Sequence, residues 1–192
     1  MTEGRGEIVA LPHLYKSLEA HCGIRLLNPI HAPVHPTSPL PLLCNQIIFR
    51  VRQAKARGAD SVVVILDTEA VEVDPTERAS EIAEKLKTAG EKNVLVAMKH
   101  VKFENWLISD PDAFEKQRSL FPDYKKVRYP DGRADFIDAE SLIKQALGSR
   151  RSYSKTQHPP KITSKSQLAS MVKNSQSFRD FVFLLSRSAQ LK

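Results

Sequence analysis

Cysteine is scarce in this chain: two among 192 residues, Cys22 and Cys44, too few for a disulfide framework and without Cys-x-x-Cys spacing. Both are expected to be reduced core thiols. No apolar run approaches the roughly 20 residues of a membrane span. No charged segment followed by a short apolar one opens the chain as a secretion signal would. A soluble cytoplasmic protein without a membrane partner is therefore expected. Acidic residues nearly vanish from the last quarter, where Asp180 stands alone against ten Lys and Arg between Lys144 and Lys192. That quarter carries +9 of the overall +7, leaving −2 for the first 143 residues. Such asymmetry fits a polyanionic partner or a solvated helical face equally well. Internal repeats are also missing.

What is present is ordinary globular material, 41% apolar and 27% charged. It suffices for one domain, or one domain with a small appendage. The most organised stretch runs from Ser61 to Leu66 and is closed by Asp67, Thr68 and Glu69. A run dominated by β-branched and aliphatic residues predicts a strand covered on both faces, as in a parallel sheet. In open α/β sheets the C-terminal strand ends line the ligand crevice. Side chains two apart on an extended segment share a side, so Asp67 and Glu69 are expected to aim at one spot. Carboxylates that close repel unless a cation or a shared proton relieves them. An acidic turn in water, with Glu72 and Asp74 following, is the plainer reading of the same residues.

Along the chain, Gly4 and Gly6 suggest a tight turn whose backbone can approach a ligand. A helix is expected to follow over about residues 8–21, with Pro12 tolerable only near its first turn and Gly23 ending it. Five prolines between Asn28 and Pro41 predict an extended crossing. His31 and His35 have metal-pair spacing only on a helix, which those prolines oppose. A second helix is expected over about residues 42–57, ended by Gly58. Asp74, Pro75 and Glu77 mark a helix start as N-cap, first-position proline and capping-box acid. That helix ends at Gly90, and residues 93–98 form a second buried strand. Strand, helix, strand predicts a right-handed parallel crossover. Phe103, Trp106 and Leu107 share helical spacing and are expected in the core, while Glu104 points elsewhere, beside the strand ends. Residues 115–137 read as irregular, a short helix runs from Asp138 to Gly148, and residues 148–160 form a basic linker or binding loop. Two short helices, capped at Thr163 and near Ser175, close the chain, the last docked through Phe178, Phe181, Val182 and Leu185.

The Glu3-Gly4-Arg5-Gly6-Glu7 turn leading into a helix, with an Asp-x-acid pair on a later strand end, resembles the TOPRIM domain. That fold is shared by topoisomerases, bacterial primases and the overcoming-lysogenization-defect nucleases. More of the chain resembles one TOPRIM-like group, domain of unknown function 4276. Its pattern is matched by the opening glutamates, by Glu104, Trp106, Leu107, Asp110 and Pro111, by Tyr153 and Lys155, and by Ser175 to Phe178. The resemblance implies an α/β, Rossmann-like, mostly parallel sheet flanked by helices, with a small C-terminal helical appendage. Residues 1–114 would be the core, and 115–192 an irregular segment plus basic helices packed on it. It also implies Mg²⁺ or Mn²⁺ held by Glu3, Asp67 and Glu69, with Glu104 a further ligand or support. Glu7 would be a ligand or general base, Lys155 would neutralise the scissile phosphate, and Arg150, Arg151 and Lys161 would hold the nucleic-acid backbone. Two departures stand out. TOPRIM places a strand before the first glutamate, where only Met1 and Thr2 precede Glu3 here. Glu69 replaces an aspartate, and its longer arm shifts a bound ion.

These expectations converge on a divalent-metal-dependent nuclease cleaving DNA or RNA. The resemblance to TOPRIM-like proteins also implies work beside an ABC-type ATPase in phage defence. The alternative is a non-catalytic module that docks an ATPase or nucleic acid through the basic C-terminal part. Topoisomerase or primase chemistry fits poorly, because no tyrosine-nucleophile domain or polymerase module is evident.

Overall fold

The computed structural model describes residues 1–70 and 72–189, so Lys192 of the basic quarter lies outside the described residues. The chain opens with α1 (Arg5–Ala10), a 3-10 turn (Leu11–Leu14) and α2 (Tyr15–Cys22). An extended crossing leads to α3 (Leu40–Ala56), then β1 (Val62–Asp67), α4 (Pro75–Thr88) and β2 (Val94–Lys99). Helices α5 (Phe103–Ile108), α6 (Pro111–Glu115), α7 (Ala139–Leu147), α8 (His158–Thr163), α9 (Leu168–Asn174) and α10 (Gln176–Ser188) complete it.

Strands β1 and β2 pair in parallel, Val62 opposite Val94 and Asp67 opposite Lys99. One face of this pair, with Val64, Leu66, Val96 and Met98, packs on Leu43, Ile47 and Val51 of α3 and Ile82 and Leu86 of α4. The other, with Ile65 and Ala97, packs on a larger cluster containing Leu18, Trp106, Phe178 and Phe181. The result is a mixed α/β fold, mostly helical, with a two-stranded parallel sheet between helical layers. Both faces are covered, which is why the strands read as apolar runs.

Two further lanes extend the sheet by single bridges. Thr2 pairs in parallel with Ile65 on one side and with His31 on the other. Ile65 N–H donates to the Met1 carbonyl at 2.9 Å, and Ala32 N–H to that of Thr2 at 2.8 Å. Met1 and Thr2 thus form a short lane that delivers Glu3 to the end of β1.

Local signals held where they were strongest. Asp74 caps α4, accepting from the backbone N–H of Thr76 at 2.7 Å and of Glu77 at 2.9 Å. Gly23 takes the left-handed conformation (φ 66°) that ends α2. Elsewhere the structure differs. The first helix begins at Arg5, so Pro12 falls in mid-run; having no N–H to donate, it forces the 3-10 turn. Thr163 is no cap: it closes α8 and donates its hydroxyl to the carbonyls of Ala10 and Pro159, both at 3.0 Å. Three helices follow the basic loop where two were expected. The C-terminal helices pack on the core: the larger cluster runs across residue 114, and α10 lies against β2.

Candidate metal centre

Four charged side chains meet at the C-terminal end of the parallel strands. Asp67 is the last residue of β1, and Lys99, its register partner, the last of β2. Glu3 leaves the short lane beside β1, and its carboxylate accepts the backbone N–H of Asp67. Glu7 sits in the first turn of α1 and folds back over Gly4, where a Cβ would stand 2.8 Å from Glu7 Oε1. Glu3, Glu7 and Asp67 each offer a carboxylate oxygen within 4.8 Å of the others, the arrangement of this kind found among the described residues.

The lysine is the centre's resident cation. Its side chain is 0% exposed, and Nζ contacts Glu7 Oε1 directly. The same nitrogen lies 2.8 Å from Asp67 Oδ1 and 3.7 Å from Glu3 Oε1. The Asp67 contact is an ion pair off the hydrogen-bonding direction, so that oxygen has no aligned donor. Glu7 Oε2 is likewise buried without a hydrogen-bond partner. Three carboxylates against one ammonium leave an excess of negative charge. Burial first, partly offset by Lys99 and reinforced by Asp67, pushes the Glu3 carboxyl up to about 8 and that of Glu7 up to about 7. Burial alone would lower Lys99, but Asp67, Glu7 and Glu3 outweigh it and hold the ammonium above its ordinary range.

A backbone latch keeps the two strand ends opposite each other. Thr68 N–H donates to the Lys99 carbonyl at 3.0 Å and Glu69 N–H to that of Val101 at 3.1 Å, while Val101 N–H donates to Thr68 Oγ1 at 2.8 Å. Glu69 (φ 63°) and Val101 (φ 62°) both adopt the left-handed conformation to make it. For a β-branched valine this costs on the order of 1–3 kcal/mol, strain of the sort that collects at functional sites.

The same latch removes Glu69 from the centre. Extended geometry stops at Asp67, so the alternation that would have aligned the two acids no longer applies, and Glu69 is exposed outside the group. The partners of Asp67 are Glu3 and Glu7 instead. Glu104, buried in the first turn of α5, is close enough to Glu7 to disfavour its ionisation. It accepts the Tyr153 hydroxyl at 3.0 Å and lies 3.9 Å from Lys155 Nζ. Lys155, with 62% of its side chain exposed, is also 3.7 Å from Glu140, which in turn pairs with Lys144 at 2.7 Å. Gly6 makes the connection to the centre: inside α1, its Cβ position is 2.2 Å from the Lys155 carbonyl oxygen. This glycine lets the chain's own backbone approach closely.

The basic residues divide. Arg150 and Lys161 are exposed. Arg151, also exposed, spends its guanidinium on the carbonyls of Ser119 and Leu120, both at 2.7 Å. His31 Nε2 bonds the Glu3 carbonyl at 2.9 Å, and His35 pairs with Thr37; among the described residues the group of converging ligand atoms is Glu3, Glu7 and Asp67. A cavity of about 630 Å³ lined by Tyr15, Arg57, Val62 and Phe181 lies at the opposite, N-terminal end of β1.

Most of the remaining matched residues build structure. Trp106 is fully buried, stacks on Phe181 and donates Nε1–H to Ser177 Oγ at 2.8 Å. Asp110 caps α6 and accepts Gln167 N–H at 2.7 Å. Ser175 and Ser177 both bond the buried Asp135. Lys99 is the residue that sequence reasoning missed. Its signal was the one used for Asp67, a charge closing a strand buried on both faces, and β2 carries it too.

Fold and centre together define an α/β protein with a carboxylate–lysine cluster at the carboxyl ends of its parallel strands. The chain belongs to the family described as Domain of unknown function (DUF4276), whose pattern matches residues 2–185. Neither a curated protein nor a solved structure matches it.

Proposed function

We propose that this protein is a TOPRIM-like, divalent-metal-dependent hydrolase of nucleic-acid phosphodiesters. The observation that carries the reading is the convergence of Glu3, Glu7 and Asp67 around a single lysine. An all-carboxylate donor set suits Mg²⁺ or Mn²⁺, and the unpartnered Glu7 Oε2 leaves a buried acceptor for such an ion. Glu3, Glu7 and Asp67 would hold it, and when bound it supplies Lewis-acid stabilisation and water activation. Lys155 is accessible and binds the phosphate, oriented by Glu104, which Tyr153 steadies. Arg150 and Lys161 hold the backbone, with Arg151 left largely to its structural contacts. Glu69 is not needed for this arrangement. The resemblance to TOPRIM extends the proposal to work beside an ABC-type ATPase in phage defence.

A second reading rests on Lys99. An ammonium already among the carboxylates is how a metal-free buried ion cluster is built, and the chain would then be a non-catalytic docking module. Cleavage of mixed DNA and RNA in Mg²⁺ and Mn²⁺, alongside direct Mn²⁺ binding, separates the two. The hydrolase reading expects Asp67→Asn to lose about a hundredfold or more of the activity. No cleavage and no Mn²⁺ binding by the wild type would leave the docking module.

A further inference from the structure

We propose that Lys99 and the divalent cation compete for the same carboxylates, so that this lysine is a built-in counter-ion that sets how tightly the centre binds metal. The inference rests on the metal reading above but goes beyond it, since a metal site needs no buried lysine. Lys99 Nζ contacts Glu7 and lies 2.8 Å from Asp67 and 3.7 Å from Glu3, so it stands among all three groups that would ligate the ion. With a side chain 0% exposed, it cannot withdraw into water. The ammonium must therefore yield oxygens to the ion while staying in the same buried space. The Phe103 ring, its centroid 5.6 Å from Nζ, offers a cation contact there that no carboxylate shares. Glu7, 2% exposed and with Oε2 unpartnered, shows that the lysine leaves the acids incompletely satisfied.

Two consequences follow from charge alone. Without metal, Lys99 keeps three converging carboxyl groups, one of them buried, from facing one another unrelieved. With metal, its positive charge opposes the ion at close range, where like charges interact strongly. Removing the charge should weaken the metal-free protein and strengthen metal binding.

The test uses the full chain, with Mn²⁺ binding followed by loss of the free-ion electron paramagnetic resonance signal, and melting recorded in chelator and in Mn²⁺. Lys99→Met should bind Mn²⁺ about tenfold or more tightly than the wild type. It should also gain more melting temperature from the ion than the wild type does. Lys92→Met, which removes an exposed charge away from the cluster, should bind as the wild type does. Wild-type binding with equal or weaker binding by Lys99→Met overturns the inference and leaves the metal reading standing. Binding by neither overturns both. Should Lys99→Met fail to fold, the wild type still decides. The buried ammonium of Lys99 gives a slowly exchanging proton–nitrogen NMR signal, which Mg²⁺ should shift with the midpoint found by calorimetry. Calorimetric Mg²⁺ binding that leaves this signal unmoved overturns the inference.

Discussion

Glu3 and Glu7 hold protons that an exposed glutamate would have released. Their carboxyls stand at about 8 and about 7 against an ordinary 4.5, chiefly through burial. Between those values the folded chain binds more protons than the unfolded one, so these groups make stability fall as pH rises. Lys99 does not offset this within the window. Its stabilisation is fully present below the ordinary 10.5 and is lost only as pH rises towards its still higher folded value. His158, lowered by burial, works the other way as pH rises through its ordinary 6.5. The prediction is therefore differential. Without metal, the melting temperature of the wild type relative to Glu3→Gln or Glu7→Gln should fall between about pH 5 and about pH 8. Saturating Mn²⁺ should remove most of that difference. Parallel melting profiles without metal would mean the glutamates titrate as ordinary exposed acids.

Individual elements owe their ends to local chemistry and their placement to close contacts. The Gly6 site shows the second kind, because α1 touches the backbone at Lys155 only where no Cβ intervenes. Gly6→Ala places a methyl 2.2 Å from a carbonyl oxygen, so the chain must shift. The expected cost is about 1–3 kcal/mol. Tyr153 and Lys155 should move away from Glu104 as well, lowering the proposed phosphodiester cleavage. Asp74→Ala is the matched comparison: losing the α4 N-cap costs about 1 kcal/mol and should leave the metal centre unaffected. Denaturant titration with Mn²⁺ binding on both variants checks this. Equal effects on the centre would show that Gly6 acts through stability alone. Asp74 and Pro75 were readable because a cap and its partners lie within four residues. The contact at Gly6 was not readable because its partner lies at Lys155, far along the chain.

Across the whole molecule the C-terminal helices share the main core. Asp135 accepts Ser175 Oγ at 2.6 Å and Ser177 N–H at 2.8 Å, tying the start of α10 to the loop before α7. Trp106, the single tryptophan, donates to that same Ser177 and packs between Phe178 and Phe181. Its fluorescence therefore reports on both sides of the boundary expected at residue 114. Urea unfolding followed by Trp106 emission and by far-ultraviolet circular dichroism should give one coincident transition. Two separated transitions would mean that the C-terminal helices melt on their own and that the shared core contributes little.

The chain's local chemistry determined its strands, its caps and its acidic strand end, since apolar runs, N-cap acids and turn glycines act over a few neighbouring residues. It also determined that Asp67 would sit where an α/β sheet presents its ligands, because a charge closing a buried strand stands out in one dimension. Only the tertiary structure decided which charges meet Asp67. Glu7 and Lys99 lie 92 residues apart and are brought together by packing α1 against the sheet end. Glu69, two residues away, is turned out by a backbone latch that no periodicity reveals. Proximity along the chain favoured the wrong partner, while strand register, which depends on the whole sheet, supplied the right one.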